Sequence, residues 1–242
     1  MVNQPAGWSY WVSEGEDVFF DRLKIRADVQ YPNNDGIHIN SSKNVFVSNC
    51  NIVCGDDCIV IRANNYSLPE NKVCDRVTVT NCTLTSCSGC IRIGWLCDGT
   101  IRNCTFSNLV MTDASCGVSV LIPDFCDPRI PDQGRESAFI ENLNFSDIVM
   151  DGVYGNPIYV EIFDKKPAPP RFRFGFPCCS CCLFRGVCLA AASAASRTCL
   201  CQAHATVQKQ KRWLKNFQWS LTYRKNCDKI KTNLTGDVLC FE

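Results

Sequence analysis

The chain has 242 residues, of which 46% are hydrophobic and 20% charged, and its formal net charge is +1. This composition excludes a disordered or collagen-like chain, and a charge so close to neutral gives no indication of binding to nucleic acid or to membrane surfaces. The sequence contains no run of 18 apolar residues, so no membrane-spanning helix is expected.

Alternation of apolar and polar residues recurs along the first two thirds of the chain and predicts repeated short strands. One set of alternating runs covers 18–25, 45–52, 77–84, 101–110 and 140–149, each with a polar residue in its middle. These polar residues are Arg22, Asn49, Asn81, Asn108 and Asp147, at steps of 27, 32, 27 and 39 residues. A second set of runs covers 37–39, 58–61, 91–93, 118–121 and 158–162.

Repeated strands at this spacing indicate stacked coils, because a single unit cannot bury its apolar face alone. We therefore predict an all-β fold, a right-handed parallel β-helix whose Asn and Ser residues hydrogen-bond between coils at equivalent turn positions. A hairpin meander or an ordinary β-sandwich is the alternative, although tight Asn-Gly or Asp-Gly turns are scarce.

The chain contains 20 cysteines, many of them inside the predicted strands as Asn-Cys pairs. We interpret these thiols as small buried hydrophobic groups that fill interior positions. Disulfides or metal sites are the alternative, and the sequence does not determine any pairing.

Two acidic clusters, Asn34-Asp35-Gly36 and Gly55-Asp56-Asp57, each directly precede a run of the second set. Parallel strands in adjacent coils lie roughly 4.8 Å apart, so Asp35, Asp56 and Asp57 are predicted to share one groove. Like charges at that separation raise one pKa, so that one acid stays protonated while another stays ionised. This is the arrangement that hydrolysis of a glycosidic bond requires. The alternative is that these Asp residues cap turns.

The two clusters resemble the Asn-Thr-Asp-Gly and Gly-Asp-Asp-Cys signatures of the polygalacturonases, glycoside hydrolase family 28, and the resemblance covers roughly residues 5–162. It implies inverting hydrolysis of galacturonic-acid-containing pectin, with Asp57 or Asp56 as the general acid and Asp35 with the other holding the water. Asn34 is expected to contact the polysaccharide, no cofactor or metal is expected, and the protein is expected to be a monomer. The family resemblance implies secretion. The N-terminal segment, however, does not resemble a signal peptide. The sequence therefore leaves two alternatives, an intracellular protein or a piece of a longer chain.

The remaining family motifs are altered. Gly89 stands where the family has a His, and the run 116–121 lacks the Arg and Lys that would bind the substrate carboxylate. One interpretation is altered specificity, with Arg92 as the replacement cation. A second is a pseudoenzyme that binds polysaccharide through aromatic residues such as Trp95, and a third is a lyase or epimerase on the same fold. His38 alternates with its apolar neighbours, and we interpret it as structural rather than as the missing catalytic His.

The alternation ends near a Pro-rich break, which divides the chain into a β-helix at 1–166 and an irregular Cys-rich tail at 167–242. This tail offers the ligands of a zinc site in Cys178, Cys179, Cys181, Cys182 and His204, although the spacing of the Cys residues is tighter than in common zinc sites. Palmitoylation of the Cys cluster is a second alternative. Two short runs, 217–221 and 237–241, are candidates for a strand that covers the open end of the β-helix.

Overall fold

The computed structural model describes residues 1–64, 68, 70, 72–95, 98–123, 139–163, 188–189, 214–224 and 232–236. Regular structure in these ranges consists of strands, and none of these segments forms a helix long and apolar enough to cross a membrane. In chain order the strands are β1 (Val2–Asn3), β2 (Tyr10–Ser13), β3 (Glu16–Asp21), β4 (Lys24–Arg26), β5 (Ile37–Asn40), β6 (Lys43–Ser48), β7 (Asn51–Cys54), β8 (Ile59–Arg62), β9 (Cys74–Ser86), β10 (Gly89–Ile93), β11 (Thr100–Thr112), β12 (Cys116–Pro123), β13 (Phe139–Asp151), β14 (Asn156–Phe163), β15 (Cys188–Leu189), β16 (Leu214–Arg224) and β17 (Thr232–Gly236).

The strands form one sheet of seven strands and one of ten. The seven-stranded sheet has the order β15, β14, β12, β10, β8, β5, β2, so each turn of the chain adds a strand beside that of the previous turn. Among the described strands, pairing is parallel except where β15 joins β14 and β17 joins β16. The predicted all-β, right-handed parallel β-helix is confirmed, and the hairpin meander and sandwich are excluded because both require antiparallel neighbours.

The chain bends within the ten-stranded sheet at single residues in the left-handed conformation. The predicted repeat positions all lie at such bends, with positive φ at Arg22, Asn49, Asn81, Asn108 and Asp147. Asn and Asp tolerate this conformation better than most residues because their side chains hydrogen-bond locally. A second series of bends repeats the same spacing at Asp17, Asn44, Arg76, Asn103 and Asn142.

Stacked asparagines connect these bends from one coil to the next. Asn49 Nδ2 donates to Asp21 Oδ1 over 2.7 Å, and Asn108 Nδ2 donates to Asn81 Oδ1 over 2.7 Å. Asn81 Nδ2 in turn donates to Asn49 Oδ1 over 3.4 Å. The predicted hydrogen bonding between equivalent turn positions is therefore present, and it keeps the coils in register.

The interior is a single apolar core of stacked side chains. Phe106 and Phe145 stack with ring centroids 4.7 Å apart, and aliphatic residues line the inner side of both sheets. The nine described cysteines from Cys50 to Cys116 are all free thiols, and eight of them are buried. Their burial agrees with the interpretation of these thiols as small interior hydrophobic groups.

Residues beyond the predicted boundary at 166 are described only in β15, β16 and β17. Strand β16 pairs in parallel with β13 and so extends the ten-stranded sheet by one coil. It contains the run 217–221, which the sequence suggested as a covering strand. The run 237–241 and the cluster of Cys178, Cys179, Cys181, Cys182 and His204 lie outside the described residues, and the division at 166 stays a prediction.

Candidate active site

The two acidic clusters lie side by side at the start of adjacent strands. Ile37 of β5 is in register with Ile59 of β8, so Asp35 and Asp57 both lie two residues before a paired position. One carboxylate oxygen from each of Asp35, Asp56 and Asp57 lies within 4.8 Å of the other two. The structure thus brings together the three residues that the sequence assigned to one groove, and we call them the acid cluster.

Burial and mutual repulsion hold protons on the acid cluster. Asp35 is 2% exposed, and burial, followed by the charge of Asp56, raises the pKa of Asp35 to about 7. Burial also raises the pKa of the fully buried Asp57 to about 6, although the nearby Arg92 opposes this shift. The acid cluster therefore keeps at least one proton up to near-neutral pH.

Arg92 faces the groove, as predicted, and forms an ion pair with the acid cluster. Its Nη1 lies 2.6 Å from Asp57 Oδ2, and its side chain is 12% exposed. In the strand pairing, Arg92 of β10 lies directly beside Val60 of β8, three residues after Asp57. Its positive charge offsets part of the cost of burying the Asp57 carboxylate.

His38 is in contact with the acid cluster, a contact that the sequence did not predict, and its interpretation as a structural residue stays a prediction. Its Nε2 lies 2.6 Å from Asp35 Oδ2, and both side chains are buried. Burial, followed by the charge of Arg92, lowers the pKa of His38 to about 3. The ring is thus neutral at neutral pH, and the hydrogen bond with Asp35 fixes the orientation of that carboxyl group.

A comparison of two sequence patterns would have located His38 correctly. Residues 37–39 and 91–93 share an Ile-x-Ile pattern, in which His38 and Arg92 hold the central position. Both central residues are in register with Val60, so they point outward from the same sheet. A prediction that Arg92 faces the groove therefore applied equally to His38.

Asn34, expected to contact the polysaccharide, has a different position. It is 1% exposed, its Nδ2 donates to the Asp28 carbonyl oxygen over 2.7 Å, and its Oδ1 accepts from the Gly55 amide over 2.5 Å. The side chain thereby ties the turn of Asp35 to the turn of Asp56. Its role in the structure is to fix the two turns relative to each other.

The space beside Gly89, where the family resemblance leads one to expect a His, is occupied by the acid cluster. A Cβ atom at Gly89 would lie 2.7 Å from Asp57 Oδ1, so a larger residue there would displace the carboxylate. The adjacent Ser88, which the sequence did not single out, donates from Oγ to the same oxygen over 3.0 Å. Gly89 and Ser88 together define where the Asp57 carboxylate lies.

Trp95 lies at the side of the groove away from β5. It is half-buried against the small cluster of Cys116, Leu121 and Tyr159, and the Arg92 guanidinium carbon is 5.6 Å from its ring centroid. The contact holds the Arg92 side chain over an aromatic face. Stacking of Trp95 on a sugar ring stays a prediction.

The acid cluster also has the oxygen-rich composition that hard divalent cations prefer. Three carboxylates within 4.8 Å could hold such an ion. The Arg92 guanidinium, 2.6 Å from Asp57, already supplies a positive charge at the same place. The expected lack of a cofactor or metal stays a prediction.

Comparison with known proteins shows which family the sequence matches. The family model described as glycosyl hydrolases family 28 matches residues 6–168. A polygalacturonase of Brassica napus is 33% identical over 129 residues, covering 43% of this chain and 32% of that protein. A probable polygalacturonase of Arabidopsis thaliana is 26% identical over 174 residues, covering 62% of this chain and 39% of that protein.

Solved structures share the fold. A polygalacturonase from Erwinia carotovora ssp. carotovora superposes with a TM-score of 0.53 at 22% identity, over 66% of this chain and 39% of that one. A family 28 exopolygalacturonase of Yersinia enterocolitica gives a TM-score of 0.53 at 19% identity, over 66% of this chain and 34% of that one. The chain thus spans about a third to two fifths of the length of the proteins it matches.

Proposed function

The chain belongs to the glycosyl hydrolases of family 28, and on this premise we propose that it hydrolyses pectin-type polysaccharides that contain galacturonic acid. The observation that carries the proposal is the acid cluster, whose three carboxylates lie within 4.8 Å of one another. Its neighbouring carboxyl groups supply the general acid and the general base that cleavage of a glycosidic bond requires. The polygalacturonases among its relatives support the choice of a pectic substrate.

Within the cluster we assign proton donation to Asp56, because it is partly exposed whereas Asp35 and Asp57 are buried. Asp56 Oδ2 accepts the Asn33 amide over 3.1 Å, which aims the carboxyl group. Oδ1 of Asp35 and Oδ1 of Asp56 are buried acceptors without a hydrogen-bond partner among the described residues. These two oxygens are suited to bind the attacking water, from which Asp35 takes the proton while Asp56 protonates the leaving oxygen.

We propose inversion at the anomeric carbon, although the separation of the acids alone does not require it. Inverting enzymes commonly hold their two carboxyl groups about 6.5–9.5 Å apart, and retaining enzymes about 5–5.5 Å apart. The nearest oxygens of the acid cluster are within 4.8 Å, closer than the inverting range. The two unpartnered oxygens favour direct attack by water, and proton NMR of the first product anomer tests this against retention.

Binding without cleavage is the alternative, favoured by one observation. The space that a side chain at Gly89 would need contains Asp57 Oδ1, so the His that the family resemblance leads one to expect there does not fit beside this carboxylate. A protein with this change could still bind polysaccharide in the groove and no longer cleave it at a useful rate. A lyase or epimerase is less well supported, because such enzymes need a basic group to remove a proton, and Arg92 is paired with Asp57.

The experiment compares reducing-sugar release from a panel of pectic polysaccharides by the wild type, Asp56→Asn and Asp57→Asn. Hydrolysis by the wild type and its loss by at least about a hundredfold in both variants would support the proposal. Asp75→Asn is the matched control, since Asp75 is also a buried acid but lies on the ten-stranded sheet beside Arg76 and Arg102. Unsaturated products absorbing in the ultraviolet would indicate a lyase, and binding without any product would indicate the pseudoenzyme.

A further inference from the structure

Trp8 has the same position in the first coil that catalytic acids have in the next two. The Ser9 amide donates to the Asp35 carbonyl oxygen over 2.9 Å, just as the Gly36 amide donates to that of Asp57 over 2.9 Å. The Cys58 amide continues the pattern by donating to the Gly89 carbonyl oxygen over 2.8 Å. Trp8, Asp35, Asp57 and Gly89 therefore form one row along the axis of the β-helix, at steps of roughly 4.8 Å.

Trp8 is in contact with the acid cluster through His38. Its ring stacks on the His38 ring with centroids 3.8 Å apart and planes 16° apart. His38 in turn lies 2.6 Å from the Asp35 carboxyl group. The indole is thus a direct continuation of the proposed site, rather than a side chain on an unrelated surface.

A second tryptophan extends this surface. Trp11 of β2 is in register with His38 and points outward from the same sheet. The Trp8 and Trp11 rings meet edge to face with centroids 5.7 Å apart, yet they remain 47% and 61% exposed. Two large aromatic rings left open to solvent beside a buried acid pair mark a surface that a ligand covers.

We infer that Trp8 and Trp11 form a sugar-stacking subsite, which we call the tryptophan platform, on the side of the acid cluster toward the N-terminal coil. The inference rests on the proposed function and deepens it. A pyranose ring has one face made of C–H groups, and this face packs on an aromatic ring. Such packing does not require the sugar to be charged. A chain that lies along the row places its next sugar on the platform when its scissile bond is at Asp35 and Asp56.

Because the platform lies beyond the acids along the row, it contacts only ligands that extend past the scissile bond in that direction. Each added stacking contact is worth about 0.5–1.5 kcal/mol, which corresponds to roughly two- to tenfold in affinity. Long oligosaccharides are therefore expected to bind more tightly than short ones, and the tryptophans are expected to account for the difference.

The test measures binding of an oligogalacturonide series, free and methyl-esterified, to the full chain by titration calorimetry, with hydrolysis measured in parallel. Trp11→Ala removes the more exposed ring, and Trp8→Phe keeps a ring stacked on His38 while reducing its area. Phe19→Ala is the control, because Phe19 is 69% exposed and stacks on Phe46 of the ten-stranded sheet. We expect both tryptophan variants to weaken binding of the long oligosaccharides about two- to tenfold, with short ligands and the control unaffected.

The possible outcomes distinguish the proposal of the tryptophan platform from the proposal of hydrolase activity. Wild-type hydrolysis together with unchanged binding by both tryptophan variants would overturn the platform and leave the hydrolase standing. Length-dependent binding that the tryptophan variants lose, without any product, would support the platform and overturn the hydrolase. A wild type that binds no member of the series would overturn both.

Discussion

Replacement of Arg92 by Met is expected to destabilise the fold in a pH-dependent way. Arg92 Nη1 lies 2.6 Å from Asp57 Oδ2, and Asp57 is fully buried. Met retains most of the aliphatic volume, so the change removes the charge and leaves the packing nearly intact. The buried Asp57 carboxylate then has no cation to offset its desolvation.

The magnitude follows from the charge separation. Two unit charges whose centres lie about 4 Å apart interact by roughly 4 kcal/mol at an effective dielectric constant of 20, equivalent to about three pKa units. In the wild type the pKa of Asp57 is already raised to about 6, and Arg92 opposes that rise. Without Arg92 the pKa rises further, so the variant loses additional stability as the pH increases above about 6.

Urea unfolding at pH 5 and at pH 8 measures this effect. At pH 5 Asp57 is largely protonated in both proteins, and the variant is expected to lose only about 1 kcal/mol, whereas at pH 8 it loses roughly 3–4 kcal/mol. Addition of Asp57→Asn to Arg92→Met should recover most of the loss at pH 8, because no buried charge remains. An equal loss at both pH values, or no recovery in the double variant, would refute the ion-pair explanation.

The bends, Gly89 and the acid cluster each give a further measurable expectation. Asn81→Val places a β-branched residue at φ 55° and is expected to cost roughly 1–3 kcal/mol in urea unfolding, whereas Asn81→Gly costs less; equal losses would contradict the left-handed bend as the cause. Gly89→Ala brings a Cβ to 2.7 Å from Asp57 Oδ1 and is expected to lower kcat at least about tenfold with an unchanged circular dichroism spectrum; full turnover would contradict the close fit. The pKa of Asp35 is raised to about 7, and a general base acts in its ionised form, so kcat/KM should rise as the pH increases from about 5 to 7; a flat profile over that range would contradict this role.

The fold could be predicted from the sequence because the residues at the repeated positions have strong backbone conformational preferences of their own. Asn49, Asn81 and Asn108 recur at the spacing of one coil, and each lies at a left-handed bend that Asn tolerates. The alternating runs between the bends show which side chains face the core. Neither feature depends on contacts that are distant in the sequence, so both could be read from the residues alone.

The site was predicted only in part, because its details depend on contacts between coils. The convergence of Asp35, Asp56 and Asp57 followed from stacking the motifs, and Arg92 followed from its outward position. The contact of His38 with Asp35 was missed, because alternation alone does not show which outward side chains reach the acids. The bracing role of Asn34 depends on the carbonyl of Asp28 and the amide of Gly55, and only the folded turns bring those groups together.

The single-residue bends of the ten-stranded sheet have a consequence for how such a scaffold can change in length. Both series of bends advance by 27, 32, 27 and 39 residues, so the two bends stay five residues apart in all five coils that contain them. From the coil of β8 onward, the unequal steps arise at the connections that leave the seven-stranded sheet: 63–73 after β8, 94–99 after β10 and 124–138 after β12. The coil of β5 instead has its long connection before the strand, at 27–36. These connections can therefore differ in length between coils while the strands of both sheets keep their pairing register. Residues added in the sequence between β12 and β13 would therefore leave Asp35 and Asp57 in register, whereas a single residue added at Asn81 would shift the pairing register of β9.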